Sequence, residues 1–285
     1  MWKYLGVGAA LGMFVALQLL LLLFSFSPQI SNLIDLVVVS YLKDVLGPVS
    51  AGFGGAIAGA YAAYKFQSKS EERKEYKESA RVFLLTKLQL NQKFDDLFSI
   101  KRHEFHPFRD HKLRMMVIGM LPESPGVRGD IYLRIYDLLS QAGAGKVISD
   151  LMLAEKRYAA CFYNFMERNK ALEEFREKLT SIELGDGLQF SLTDVFKAVE
   201  LGRVVALHRN TEIMLEVFEE ALETVLSALL GLQSALDEKY FPKGSFGIKI
   251  EIPSSEYLER LPPPQLSDDE LVNMWKHFKS EKSFS

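Results

Sequence analysis

The chain has 285 residues, with 34 Lys and Arg against 37 Asp and Glu for a net charge of −3, which excludes a basic protein that coats nucleic acid and a solvating acidic tail. Its single cysteine, Cys161, excludes an intramolecular disulfide and agrees with a reducing compartment for most of the chain. Beyond two apolar N-terminal stretches about 220 residues remain, enough for one or two domains with a real core.

Tyr4 to Phe26 holds no charged residue and runs through Leu19 to Leu23. At about 1.5 Å per residue it is long enough for a hydrocarbon core of roughly 30 Å. Lys3 before an apolar run also fits a secretory signal, but the run is too long. Phe24-Ser25-Phe26-Ser27-Pro28 offers no small-x-small cleavage site, so a retained anchor is expected. The second stretch, Val45 to Tyr64, is strongly apolar only at Val45, Leu46, Val49, Phe53 and Ile57; most of the rest is Gly and Ala. Alone it inserts marginally and needs a partner helix. Gly8, Gly12 and Ala16 in the first arm, and Ala51, Gly55, Gly59 and Ala63 in the second, recur every four residues. Such faces let helices approach closely in lipid. They pack the two arms together, or one of them joins neighbouring protomers.

Residues 1–64 thus predict a transmembrane hairpin. Lys3 flanks the first arm, Lys65, Lys69, Arg73, Lys74, Lys77 and Arg81 follow the second, and the connecting loop has only Lys43. The bias of basic residues puts both termini in the cytosol. In the loop, Ile30, Leu33, Ile34, Val37, Val38, Tyr41, Leu42 and Val45 share one helical face, as in a helix lying in the outer interface.

Residues 65–81 mix signs and read as a charged helical stalk. From Val82 an apolar face begins with Phe83, Leu84, Leu88, Phe94, Leu97 and Phe98, opening a helical bundle over 82–240. Within it lies the most distinctive soluble stretch, Lys101 to Lys112. Pro107 is expected to break the helix there into a loop. Lys101, Arg102, Arg109 and Lys112, with His103, His106 and His111, form a candidate ligand cluster. With Phe105 and Phe108 between them, the cations suit a phosphate or a nucleotide base. A metal shell from His103, His106 and Asp110 or His111 matches no known spacing, and a plain solvated basic loop stands as the simpler reading.

Asp130 to Gln141 predicts a helix with Ile131, Ile135, Leu138 and Leu139 inward. The following Ala142-Gly143-Ala144-Gly145-Lys146 imitates a phosphate loop but has Ser140 for the first Gly and Val147 for the Ser or Thr. Two glycines ending one helix and starting another explain it. A second long helix is expected from Lys146 to about Ile182, with Leu151, Ala154, Tyr158, Cys161, Phe162, Phe165, Leu172 and Phe175 near one stripe. A third runs from a cap at Ser191 to about Tyr240. Its seam is Val195, Val199, Gly202, Ala206, Ile213, Val217, Ala221, Val225, Ala228 and Leu232. Seams this long need partners of similar length, hence an antiparallel bundle or coiled coil. Asn91, Asn164, Asn169 and Asn210 either enter it to fix register or face water.

Residues 241–285 form a proline-bearing tail. Gly247 to Ile252 alternates like a brief strand, and Ser267-Asp268-Asp269-Glu270 is a capping box opening a last amphipathic helix. Leu271, Met274, Trp275 and Phe278 share its apolar face. They dock on their own bundle or offer the helix to a cytosolic partner's groove.

The expected fold is therefore all-α: a transmembrane hairpin followed by an elongated antiparallel cytosolic bundle. The hairpin, the stalk running into Leu84-Leu85-Thr86-Lys87-Leu88-Gln89-Leu90-Asn91, and the helical remainder resemble uncharacterised bacterial two-span membrane proteins with a helical cytosolic domain. Some of these are similar to effectors of anti-phage defence. The resemblance is one of architecture and brings no catalytic or binding residue with it. The expected function is a membrane-anchored interaction or signalling protein, homo-oligomeric, with the lipid bilayer as one partner and nucleic acid not among them. The alternative is a membrane-disrupting effector whose hairpins oligomerise, and a metal- or nucleotide-dependent enzyme stands third. No catalytic constellation, metal set or cofactor motif is expected.

Overall fold

The computed structural model describes residues 47–126, 131, 133–180, 192–240 and 255–282, together with Ala16, Leu19, Ser40, Asp44 and Val45. Regular structure among the described residues is helical throughout, in agreement with an all-α fold. We number the helices α1 (Gly47–Ile100), α2 (Arg114–Val117), α3 (Arg134–Gln141), α4 (Gly145–Thr180), α5 (Leu192–Ala198), α6 (Leu201–Tyr240) and α7 (Asp268–Lys282). The chain divides into two compact units, Met1–Lys77 and Glu78–Ser285.

In the first unit α1 carries no charge from Gly47 to Tyr64. Val49, Phe53, Ile57, Tyr61 and Tyr64 are exposed along it, as are Ala51, Gly55 and Gly59. A Cβ added at Gly52, Gly55 or Gly59 would meet nothing within 4 Å. Among the described residues no helix is long and apolar enough to cross a membrane. The expected second arm does not meet that requirement by itself, because Gly and Ala dilute its few large side chains. Of the expected first arm, Gly8 and Gly12 lie outside the described residues and Ala16 is recorded only as helical and exposed; the interfacial loop helix lies almost wholly outside them. The stalk residues continue α1 without a break, and Gln67 donates to Glu71 at 2.9 Å across one turn.

In the second unit three helices present seams whose buried residues alternate steps of three and four. On α1 and the turn that follows they are Phe83, Lys87, Leu90, Phe94, Leu97 and Lys101. On α4 they are Leu151, Ala154, Tyr158, Cys161, Phe165, Arg168, Leu172, Phe175 and Leu179. On α6 they are Val204, Leu207, Thr211, Met214, Phe218, Ala221, Val225, Ala228 and Leu232. A mean spacing of 3.5 keeps one stripe facing its partner along the helix, the condition for coiled-coil packing. Helix directions follow from the contacts. Arg203 reaches Glu174 at 3.1 Å, and a Cβ at Gly231 would stand 3.3 Å from Val147 Cγ2, so α4 and α6 are antiparallel. Lys87 meets Asp237 at 3.0 Å and Lys101 meets Glu219 at 2.7 Å, so α1 also opposes α6. Lys93 pairs with Glu155, so α1 and α4 run parallel. Two parallel neighbours need a returning connection, and residues 106–144 supply it.

That connection is held by two polar side chains on α4. The Arg168 guanidinium, 0% exposed, donates to the carbonyls of Met115 (3.0 Å), Ile118 (2.6 Å) and Gly119. Burial, with the charge of Arg176 adding to it, lowers its pKa to about 10, so it remains a cation at neutral pH. Asn169 beside it accepts the Leu121 N–H at 3.0 Å and donates to the Leu121 carbonyl at 2.8 Å. Of the four asparagines read from the sequence, Asn169 is the buried one. Asn91 donates to Asp95 and Asn164 to the Ala160 carbonyl.

Ile131, Ile135, Leu138 and Leu139 are all buried, as their spacing predicts. At the end of α3, Gly143 adopts φ +69°, the left-handed region that favours glycine. The Ala144 N–H then returns to the Leu139 carbonyl at 2.9 Å and the Gly143 N–H to the Ser140 carbonyl at 3.0 Å. This is a Schellman motif, so the glycine pair serves helix ends and not phosphate.

The third long helix differs from expectation in two ways. It is interrupted after α5, and α6 restarts with the Glu200 carbonyl accepting from Arg203 and Val204. Gly202, Ala206 and Ile213, expected in the seam, are exposed, and Val204, Leu207 and Met214 are buried instead. Steps of four drift around a helix while alternating steps of three and four hold their face; the two series merge only near Ala221. The expected cap at Ser191 and strand at Gly247 to Ile252 lie outside the described residues. Replacing Arg168 by Met should remove about 3 kcal/mol of stability by stranding three buried carbonyls. The exposed Arg176→Met should stay within about 0.5 kcal/mol, and urea denaturation of the two variants measures the contrast.

Candidate functional site

The stretch from Lys101 to Lys112 is not the loop that Pro107 suggests. The chain continues past α1 as a π-helical turn, Lys101–Phe105, and a 3-10 turn, His106–Phe108. Pro107 sits in the first turn of the latter, where a missing N–H costs no hydrogen bond. The π turn rotates Phe105 inward, against Phe218 at 4.8 Å and Phe165 at 6.3 Å between ring centroids.

Of the seven basic and imidazole groups, Arg102, His106 and Arg109 gather around Tyr257, and the other four stand apart from them. Lys101 is 0% exposed; its ammonium donates to Glu219 Oε2 at 2.7 Å and to the Glu259 carbonyl at 2.8 Å. His106 lies 2.7 Å from Arg109 Nη1 and packs edge-on to Tyr257 at 4.7 Å. His111 Nδ1 accepts the Leu113 N–H at 3.1 Å. Arg109 pairs with Asp110 at 3.2 Å, and Arg102 stands over the Tyr257 ring at 5.5 Å. His103 and Lys112 are exposed. Among the described residues no group of three or more His, Cys, Asp or Glu is placed to share a metal ion. Lys101 is therefore a buried structural cation, His103, His111 and Lys112 stand apart, and Arg102, His106 and Arg109 spend their contacts on Tyr257, on Asp110 and on one another.

What Lys101 does touch leads to a different site. Residues 258–267 form a strap that runs antiparallel along α6. Glu219 Oε1 accepts the Leu261 N–H at 3.2 Å, and Arg260 donates to Glu223 at 2.8 Å. The next anchor is Arg114, whose Nη1 donates to the Pro262 carbonyl at 2.8 Å while Nε and Nη2 grip both carboxylate oxygens of Glu212. Gln265 reaches the Asp110 carbonyl at 2.8 Å. Pro262, Pro263 and Pro264 suit this path, because an extended run of prolines leaves no N–H groups to satisfy.

The strap ends in α7, which begins as its sequence predicts. The Ser267 N–H donates to Glu270 Oε2 at 2.7 Å, and the Glu270 N–H donates to Ser267 Oγ at 3.2 Å. The hydrogen bonds from the Ser267 backbone and hydroxyl hold the Glu270 carboxyl below its usual pKa. Asp268 bridges His208 Nδ1 (2.8 Å) and Arg209 Nη2 (2.9 Å) on α6. Burial works to raise the Asp268 pKa, but the hydrogen bonds and charges of Arg209 and His208 together outweigh it and leave it lowered. Leu271 is 0% exposed in a cluster with Met115, Leu172 and Leu207, while Phe278 meets Phe196 at 6.2 Å. Trp275 packs on the same cluster, whereas Met274 is 42% exposed. Of the two readings of this helix, the structure therefore takes docking on its own bundle.

Alongside the strap, Ile213 and Glu216 of α6 together with Pro263 and Pro264 line an open groove of about 830 Å³. The arginines around it are matched: Arg114 by Glu212, Arg209 by Asp268, Arg260 by Glu223. Cys161 lies elsewhere in the core, and burial pushes its thiol up to about 12, which keeps it protonated. Of the arginines, Arg114 also binds a main-chain carbonyl, as Lys101 does, so the charges that neutralise one another also hold the chain's own strap. The sequence carried a trace of this site: Glu212 and Glu219 stand seven apart on one face of α6, in register with its apolar seam.

No protein-family model, curated protein or solved structure matches the chain.

Glu219→Gln should cost about 3–5 kcal/mol, since it strands a buried ammonium, while the exposed Glu216→Gln should be nearly silent in the same denaturation assay. Asp268 gives a pH signature. Its lowered pKa adds stability above its unfolded value of 3.8, and this is lost as pH falls through and below that value. The gap in stability between wild type and Asp268→Asn should therefore be full at pH 6 and close on acidification.

Proposed function

We propose that the protein is a membrane-anchored helical interaction protein that self-associates and holds a peptide segment on its α6 face, with both termini on the cytosolic side of a bacterial inner membrane. One observation carries the anchoring. From Gly47 to Tyr64 no residue is charged, and the large side chains there and just beyond stand bare, Phe53 at 63% and Phe66 at 78% exposure. A continuous apolar surface of this kind marks contact with lipid or protein. This segment falls short of a self-sufficient span, so the reading needs Tyr4–Phe26 beside it as the stronger arm of a hairpin. The strap over α6, with its matched charges and main-chain hydrogen bonds, supports recognition as the task of the second unit.

Full-length protein should pellet with membranes and resist alkaline carbonate, while a chain lacking residues 1–64 should move to the soluble fraction. Recovery of the full chain from the aqueous fraction, or a reporter at Ser285 facing outward, removes the reading.

A membrane-disrupting effector is the second reading, favoured by the open space at Gly52, Gly55 and Gly59, which leaves a small-residue face available for helix association in lipid. Under it, expression depolarises cells and Gly55→Leu with Gly59→Leu relieves the effect. An intact membrane potential on expression ends this alternative.

A further inference from the structure

We propose that the seat of the strap and α7 is an exchangeable docking groove whose second occupant is the same segment, residues 255–282, from another copy of this chain. The proposal rests on the self-association put forward above and supplies its mechanism.

The groove is already shown to fit this sequence. Lys101 and Arg114 bind its carbonyls, Glu219 takes its Leu261 N–H, His208 holds Asp268, and Leu271 fills the apolar floor. Each of these contacts is non-covalent and indifferent to which copy supplies the segment. The nearest described residue of the bundle before it in sequence is Tyr240, with residues 241–254 between.

The segment is also seated as something that can leave. Its middle borders an open groove of about 830 Å³ along α6, so solvent reaches the strap from the side. Ile213 beneath it remains 46% exposed. Removing the segment takes the buried Leu271 and the half-buried Leu258, Leu261, Leu266, Trp275 and Phe278 off the core and leaves Lys101 and Arg114 each short of one carbonyl, contacts that the same segment of a second copy restores. Its helix travels complete, because the Ser267–Glu270 capping box lies wholly inside it. Exchange of an identical element is a low-cost route to symmetric association. Protomers confined to one membrane meet at raised local concentration, where a second copy competes with the tethered segment.

The test uses full-length protein in detergent micelles and a fluorescein-labelled synthetic peptide of residues 255–282. In one full-length variant, Asp268→Asn with Leu271→Ala weakens the chain's own segment and leaves α6 intact. The peptide should bind that variant at least about tenfold more tightly than wild type, because the tethered segment no longer competes. Light scattering should show fewer protomers per particle for the variant. Equal peptide affinity for the two chains, no binding to the folded variant, or an unchanged protomer number overturns the proposal. If circular dichroism shows the variant unfolded, hydrogen exchange on wild type decides. Amides of α7 should exchange as a group ahead of those in Leu207–Leu232 of α6; simultaneous exchange refutes an exchangeable segment. Membrane fractionation is read separately, so failure of the groove and failure of the anchor remain distinct.

Discussion

A lysine ammonium removed from water must be met by an opposite charge and by hydrogen bonds, or the fold that buries it does not form. Lys101 meets this condition with groups from two remote stretches of chain, Glu219 on α6 and the Glu259 carbonyl in the strap. Glu219 uses its other oxygen to hold the Leu261 N–H. One buried pair therefore fixes the end of α1, the middle of α6 and the course of the tail. Arg114 repeats the arrangement one step along the strap, with Glu212 as its anion and the Pro262 carbonyl as its third contact.

Arg168 solves the same problem without an anion. Three carbonyls in and just beyond the single turn of α2 surround its guanidinium, where so short a helix leaves acceptors unused. Its cost in desolvation appears as a lowered pKa, and its return is a fixed path for the connection between two parallel helices. The seams of α1 and α4 thus both carry cations at positions that packing alone would give to leucine. Lys101 and Arg168 each specify which strap or loop lies against them, a choice that apolar contacts leave open.

The two units follow different rules. In the second, large apolar side chains pack into two clusters, and the buried charges are met by carboxylates or, at Arg168, by carbonyls. In the first, the described part of α1 exposes its aromatic and aliphatic residues together with an open run of glycines. That contrast is one of side-chain exposure: the second unit covers its large apolar groups, and the described part of the first leaves them bare.

Local pattern was sufficient for much of this. The helical character, the inward face of α4, the Schellman turn at Gly143 and the capping box at Ser267 each depend on residues within a few positions of one another, so the sequence determined them unaided. The phase of α6 near its start was not legible, because two apolar series fit the same stretch until packing chose between them. Nor was the burial of Lys101, which reads as a solvated cation until Glu219, more than a hundred residues away, is brought to it. The strap is the extreme case: its prolines announce an extended path, but only the folded bundle supplies the charges and the apolar floor that decide where it lies.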